Sequence, residues 1–291
     1  NISKITKAVI PAAGFGTRLL PATKAIPKEM LPIIDIPTIQ YIIQEAIDSG
    51  VEEILIIDNV DKGAIHKYFS IDEKLENKLL STGKKNEYDI VHHIGSLCKI
   101  KYVQQNDPKG LGHAVSLAEE FANGEPFGIL LGDDLMSNVG GEPVLKQMID
   151  AFDKTGASIL GVQEVAKEVV HKYGVVKPTS IDGRIIKICD FVEKPKLEEA
   201  PSRYAGLGRY ILTPKIFELL KTQTPGKGGE IQLTDAIRRL MDIEPVYAFD
   251  FEGIRYDVGD KFGFVKAVID FSLRRDDLRD NVQDYINKLA K

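Results

Sequence analysis

The apolar run Ala8-Val9-Ile10 leads directly into Ala12-Ala13-Gly14-Phe15-Gly16-Thr17-Arg18. A buried strand that ends in a glycine loop restricts this chain more than any other feature. In open α/β sheets ligands collect at the carboxyl ends of the strands, where bare backbone can approach a phosphate closely. The rest of the first half agrees with such a sheet. Glu53–Asp58 is a second apolar run. Between the two, Ile39, Ile42, Ile43, Ala46 and Ile47 recur at helical spacing, with Pro37 ahead and Gly50 behind, which predicts a β-α-β unit. Residues 100–104 and 127–131 read as further strands, and 112–122 as one helix with Ala114, Leu117, Ala118 and Phe121 on one face. Strands that are apolar throughout, without in-out alternation, imply a parallel sheet covered on both faces.

The second half has a different texture. Residues 158–165, 174–178, 184–192 and 205–212 read as strands joined by Gly, Pro and Asp turns, which predicts an antiparallel or mixed extension of the same sheet. Helices are expected over 215–221, 233–241 and 261–273. A last helix from Asp277 carries Leu278, Val282, Tyr285, Ile286 and Leu289 on one side, a stripe that packs on the body or meets a second subunit. There is no internal repeat or low-complexity tract, and 291 residues can enclose one large core. We therefore expect a single α/β domain over residues 1–291: a Rossmann-like, three-layer fold with a mostly parallel central mixed sheet, helices on both faces and a smaller β-rich extension.

Composition narrows the function. Thirty-eight basic residues against 43 acidic ones leave a net charge of -5, too little base for bulk nucleic-acid binding, which relies on concentrated Lys and Arg. No apolar run approaches the roughly 20 residues of a membrane helix. The stretch Asn1 to Lys7 is polar, without an apolar secretory segment. Cys98 and Cys189 lie far apart and outside any CxxC spacing, so they read as buried apolar residues in a reducing cytoplasm, not as a disulfide or zinc site.

The glycine loop is not a dinucleotide fingerprint, because the third glycine position of Gly-x-Gly-x-x-Gly is Leu19 and the loop runs on through Pro21 to Pro32. Neither Gly110-Leu111-Gly112-His113 nor Gly226-Lys227-Gly228-Gly229 has the spacing of a Walker loop. The glycine loop instead carries base: Arg18, Lys24 and Lys28, with Glu29 as the only acid. Surface bases are usually just solvated. These follow a glycine turn at a sheet's carboxyl edge, where a triphosphate or a departing pyrophosphate needs such counter-charges. Asp133 and Asp134 follow residues 127–131 through one glycine, and adjacent side chains on an extended chain diverge, so one of the two is expected to face the cleft.

Residues 12–35, AAGFGTRLLPATKAIPKEMLPIID, resemble the signature loop of bacterial UTP:glucose-1-phosphate uridylyltransferases, a branch of the sugar nucleotidyltransferases. The likeness continues in order through PKGLGHAV (108–115), LLGDD (130–134), YGVV (173–176), VEKPK (192–196), GRYIL (208–212), GGEIQLTDAI (228–237) and YDVGDK (256–261). The resemblance implies a nucleotidyltransferase fold with residues 1–135 as the nucleotide-binding half, and 136–291 as the sugar-binding half plus C-terminal helices. It implies Mg2+-dependent formation of UDP-glucose and pyrophosphate from UTP and glucose 1-phosphate in the cytoplasm, by a homodimer or homotetramer. Arg18, Lys28, Lys194 and Asp133 would carry the chemistry, and Asp133 and Asp257 the metal. Ala12, Ala13, Gly14, Gly16, Gln105 and Gly110 would bind the nucleotide, with the Gln105 amide, a donor and an acceptor on one group, reading the uracil edge. Tyr173, Gly174, Glu193, Lys194 and Gly206 would bind the sugar and its phosphate. Asp134 departs from the family pattern and stays outside this expected site, while His113 is expected to cap or pack. The alternatives are a same-fold enzyme for dTTP or another hexose phosphate, and a catalytically silent UDP-sugar-binding paralogue. All five charged residues, Arg18, Lys28, Asp133, Lys194 and Asp257, are present, which argues against the silent form.

Overall fold

A computed structural model describes residues 4–59 and 63–291; Asn1, Ile2 and Ser3 of the polar N-terminal stretch lie outside the described residues. The strands are β1 Lys7–Pro11, β2 Pro32–Ile33, β3 Ile36–Pro37, β4 Glu53–Asp58, β5 Lys99–Gln104, β6 Phe127–Leu130, β7 Asp134–Ser137, β8 Ser158–Glu164, β9 Gly174–Asp182, β10 Ile185–Glu193, β11 Tyr204–Leu212, β12 Val246–Asp250 and β13 Ile254–Asp257. The helices are α1 Thr38–Asp48, α2 Gly63–Phe69, α3 Glu73–Ser81, α4 Lys85–Gly95, α5 Leu111–Ser116, α6 Glu119–Ala122, α7 Val144–Thr155, α8 Ile216–Thr222, α9 Leu233–Leu240, α10 Lys261–Arg274 and α11 Arg279–Leu289.

Nine strands form one sheet in the order β5-β4-β1-β6-β11-β8-β12-β10-β9. The first four are parallel, and β11 then joins antiparallel to both β6 and β8, so the sheet passes without a break from the first half of the chain into the second. Its apolar runs are continuous because both faces are covered. In β1, Val9 packs in one core, beside Leu55, Ile57 and Phe127, while Ala8 and Ile10 pack in the opposite core with Ile54, Ile56 and the buried face of α1. A third, smaller cluster of Ile33, Leu135, Tyr256, Val258 and Ala267 seals the β7–β13 ribbon under α10.

Several elements depart from the sequence expectations. The helix expected over 112–122 is two, α5 and α6. Ser116 Oγ donates back to His113 O at 2.5 Å, and Leu117 and Ala118 bond to carbonyls three residues earlier, which tightens and ends the turn. Helices α2 to α4 and α7 and strands β12 and β13 fall in stretches whose patterning had suggested no element. Cys189 is exposed, not buried: it lies between the buried Ile188 and Phe191 on the solvent side of β10. Helix α11 lies along α10, half-burying Val282 and Ile286, and leaves Tyr285 and Leu289 exposed.

The largest fully buried side chain among the described residues is charged. Arg209 of β11 is 0% exposed, and its Nε and Nη2 donate to the two oxygens of Glu45 on α1 at 2.8 and 2.9 Å. Nη1 donates to Gly208 O at 2.9 Å and Nη2 also to Asp134 O at 2.7 Å. Glu45 Oε2 accepts in addition from Leu145 N–H, in the first turn of α7, at 3.3 Å. Removing one partner of such a pair strands a buried charge. Glu45→Gln should therefore destabilise the protein by about 3–5 kcal/mol, read as a lowered urea midpoint. An unshifted midpoint would show that the pair holds no weight in the fold.

Candidate functional site

The carboxyl ends of β1, β5 and β6 open onto a cavity of about 360 Å3 lined by Ala13, Gly14, Lys28, Gln105, Gly110 and Asp133 among others. Beside it, at the ends of β10 and β11, a second cavity of about 250 Å3 is lined by Arg18, Tyr173, Gly174, Glu193, Lys194, Gly206 and Asp257. The two share Leu111, Leu131 and Asp133 as a common wall.

The glycine loop shapes the first cavity. Ala12 continues the sheet by donating to Ile57 O, and the chain then turns through Gly16, whose φ of 65° and contact with Thr23 exclude a side chain. Thr23 Oγ1 donates to Gly16 O at 2.7 Å. Three short 3-10 turns, Thr17–Leu19, Ala22–Lys24 and Lys28–Met30, follow. The last buries Glu29 completely, against Gly132, and so turns Lys28 inward. Ala12 and Gly16, expected to bind the nucleotide, line neither cavity. Lys24, expected to join the basic cluster, is exposed at the end of the second turn and lines neither cavity.

Four charged groups converge where the cavities meet. Lys28 Nζ lies 3.4 Å from Asp133 Oδ2, Arg18 Nη2 3.7 Å from the same oxygen, and Arg18 Nη1 3.3 Å from Asp257 Oδ2. Gly259 N–H donates to the other oxygen of Asp257 at 3.0 Å. Burial acts against charge on both Lys28 and Asp133. Asp133 and Glu29 together outweigh it at Lys28, and Lys28, Arg18 and Arg255 together at Asp133, so the ammonium is held above its usual range and the carboxyl below its own. Both stay ionised at neutral pH. Arg18 is 58% exposed, and ion pairs this open contribute at most about 1 kcal/mol to stability. Their cost of separation is small, so an anion or a cation can readily claim them. Two carboxylates on one guanidinium also suit a divalent ion that takes its other oxygens from phosphates. Among the described residues no group of three or more His, Cys, Asp or Glu could cage a metal without such help.

Asp134, the first residue of β7, points away from these pairs, Asp133 lying in the turn just before the strand. Its Oδ1 accepts from Arg255 Nε at 2.6 Å, and Arg255 Nη1 donates to the hydroxyl of Tyr173 at 3.1 Å. Burial pushes the Asp134 carboxyl up to about 6, against the pull of Arg255. Expected to lie outside the site, Asp134 proves part of the second cavity's wall. Arg255 was not foreseen either; its signal is its place two residues before Asp257 in β13, on the same face of the strand.

In the second cavity Gly174 and Gly206 pack on Phe191, where a Cβ on Gly174 would stand 2.9 Å from the ring. Lys194 turns out of β10 at φ 46°, a left-handed conformation unusual for lysine, with its N–H donating to Tyr173 O at 2.9 Å. Glu193 accepts at Oε2 from Thr234 Oγ1 at 2.6 Å, a contact the sequence did not suggest. In the first cavity Gln105 is buried. Its N–H bonds Asp58 O at 2.6 Å, and its amide nitrogen lies 2.8 Å from His113 Nδ1 and 3.4 Å from Gly110 O. His113 thus orients the Gln105 amide, a more specific task than capping or packing.

A nucleotidyl transferase family profile matches residues 7–272. The chain belongs to the nucleotidyl transferase family. It is 51% identical, over 98% of its own length and 98% of the relative's, to UTP--glucose-1-phosphate uridylyltransferase 2 of Staphylococcus saprophyticus. Among solved structures it is similar to a UDP-glucose pyrophosphorylase complexed with UDP-glucose, with a TM-score of 0.86, 42% identity, and coverage of 93% of this chain and 100% of that one. It is likewise similar to a UTP-bound UGPase from Acinetobacter baumannii, with a TM-score of 0.89, 36% identity, and coverage of 98% and 99%. Nucleotidyl transferases of this family generally use a divalent metal.

Two glycines separate backbone strain from ligand space. A Cβ on Gly110, at φ 109°, would stand 2.7 Å from Ile231 O, whereas on Gly14 it would meet only Lys28 Nζ at 3.6 Å. Gly110→Ala should lower the melting temperature, at a cost of roughly 1–3 kcal/mol. Gly14→Ala should melt like the wild type, yet gain less stabilisation from added UTP. Thermal scans with and without nucleotide check both, and equal melting of the two variants would contradict the assignment.

Proposed function

We propose that this chain transfers a uridylyl group from UTP to glucose 1-phosphate, releasing pyrophosphate and forming UDP-glucose. The observation that carries this is the pair of cavities meeting at Asp133, one edged by the glycine loop and Gln105, the other by Glu193 and Lys194. Two substrates held on either side of one charged wall can react in line. An oxygen of the sugar phosphate attacks the α-phosphorus of UTP. The new P–O bond forms as the bond to the bridging oxygen breaks, and the electron pair leaves with pyrophosphate. The attacking oxygen is already anionic at neutral pH, so no general base is required. Catalysis then rests on positioning and charge neutralisation.

In this reading the Gln105 amide reads the uracil edge, with backbone of Ala13, Gly14 and Gly110 beside it. Arg18 and Lys28 bind the triphosphate and stabilise the departing pyrophosphate. Lys194 holds the sugar phosphate, Glu193 accepts from the hexose hydroxyls, and backbone around Tyr173, Gly174 and Gly206 closes the pocket. Asp133 and Asp257 would hold Mg2+, which when bound offsets charge on the phosphoryl oxygens. Ligand binding would break the loose pairs of Arg18 and Lys28 and redirect those cations to phosphate.

We further propose that the chain acts as one domain, residues 1–135 serving the nucleotide and 136–291 the sugar, in the cytoplasm. Among the described residues no helix is long and apolar enough to cross a membrane. The exposed apolar residues Phe262, Val265, Ile269, Tyr285 and Leu289 on α10 and α11 support assembly as a homodimer or homotetramer.

The test follows pyrophosphate release with Mg2+, glucose 1-phosphate and each nucleoside triphosphate in turn. UTP should be the productive nucleotide. Turnover of dTTP with silence on UTP would overturn the substrate, and silence with every triphosphate would overturn the enzyme. Lys28→Ala and Asp133→Asn should each lower kcat about a hundredfold or more while leaving the melting temperature near wild type. Near-wild-type turnover by either variant would remove that residue's role.

A further inference from the structure

The segment 230–234, leading into α9, borders both cavities. Glu230 lines the first, while Gln232 and Thr234 line the second. Ile231 N–H donates to Lys109 O, and Ile231 O accepts from Gly112 N–H, both at 2.8 Å, which ties the segment to the loop beside Gln105. Three residues on, the Thr234 hydroxyl reaches Oε2 of Glu193 at 2.6 Å, and Thr234 itself is 5% exposed. Gly174 closes another side of the same oxygen, since a Cβ there would stand 3.2 Å from it.

We infer that Thr234 is a positioning residue for the sugar substrate: its hydroxyl holds the Glu193 carboxylate in one orientation and leaves Oε1 to accept from the hexose. This rests on the reading of the second cavity as the sugar site. The physical basis is that, among the described residues, Thr234 is the hydrogen-bond donor to that carboxylate. Glu193 is the last residue of β10, and the chain leaves the strand immediately afterwards through the left-handed Lys194. A side chain at a strand end has several rotamers open to it, and each must be lost when sugar binds. A hydroxyl has one proton to give. Donated to an ionised oxygen, it makes a charge-assisted bond that selects one rotamer beforehand. The donor is itself fixed, being β-branched and set in the first turn of a helix that packs on β10. Thr234 need not touch the sugar to act; it acts through Glu193.

The experiment compares Thr234→Val, which keeps the shape and removes the proton, with Thr234→Ser, which keeps the proton. Calorimetry of UDP-glucose and UDP is run beside steady-state kinetics. Thr234→Val should weaken UDP-glucose binding and raise KM for glucose 1-phosphate roughly tenfold, the range set by one hydrogen bond to a charged group. UDP affinity and KM for UTP should not change, and Thr234→Ser should restore the wild-type values. In a Glu193→Ala background, Thr234→Val should add no further loss, because the group it acts through is gone. Equal weakening of UDP and UDP-glucose, unchanged sugar binding, or a full additional loss in the Glu193→Ala background would each overturn the inference. Absence of turnover in the wild type would instead overturn the proposed reaction, so the two failures are distinguishable.

Discussion

The buried guanidinium of Arg209 anchors the segment that carries the Asp133 carboxylate. Taking that charge out of water costs several kcal/mol, and the structure offsets this only by bringing Glu45, Gly208 O and Asp134 O to it together. Those partners come from α1, β11 and β7, and Glu45 reaches on to the start of α7. Four elements from distant parts of the chain are thereby locked around one side chain. Asp134 is held by its carbonyl and, through Arg255, by its carboxylate, and Asp133, in the turn just before it, lines both cavities. Gly208 makes this possible, since a Cβ at its φ of 76° would stand 2.1 Å from Asp134 Oδ2.

Charges at the two ends of this linkage are treated oppositely. Around Arg209 the bonds run from 2.7 to 2.9 Å, two of them to one carboxylate, and each of its three nitrogens has an acceptor. Around Asp133 and Asp257 the ion pairs run from 3.3 to 3.7 Å, and Arg18 stands largely in solvent. A tight pair in the cleft would resist a polyphosphate. A loose one keeps both signs of charge ionised and ready to change partners. The net charge of -5 conceals this local gathering of base, because long-range sums say little about which side chains meet.

Much of the fold was legible along the chain. Continuous apolar runs mark strands that are buried on both faces, and β1, β4 and β6 read clearly for that reason. The site motifs were legible as well: glycine turns and charged strand ends lie in short contiguous stretches, and Gln105, Gly174, Glu193 and Lys194 all border the cavities where strands end. Other features were not. Helices α2 to α4 are short and largely exposed, with at most two buried side chains each, so no long apolar stripe marks them, and Ser116 ends α5 through a side-chain bond that no apolar pattern encodes. Lys24 shares a loop with Arg18 and Lys28 but not their direction, since direction there depends on which short turn buries Glu29.

The sequence by itself determined the alternation of strands and helices, the glycine loop at the first strand's end, and the family to which the chain belongs, because each is written in neighbouring residues. Only the tertiary structure decided that Asp134 turns to Arg255 while Asp133 faces the cleft, that His113 orients Gln105, and that Thr234 grips Glu193. Those pairs are separated by 121, 8 and 41 positions. Whether such side chains meet depends on sheet order, on strand register and on where each helix begins. These are properties of the packed chain as a whole, set by burying two apolar faces at once.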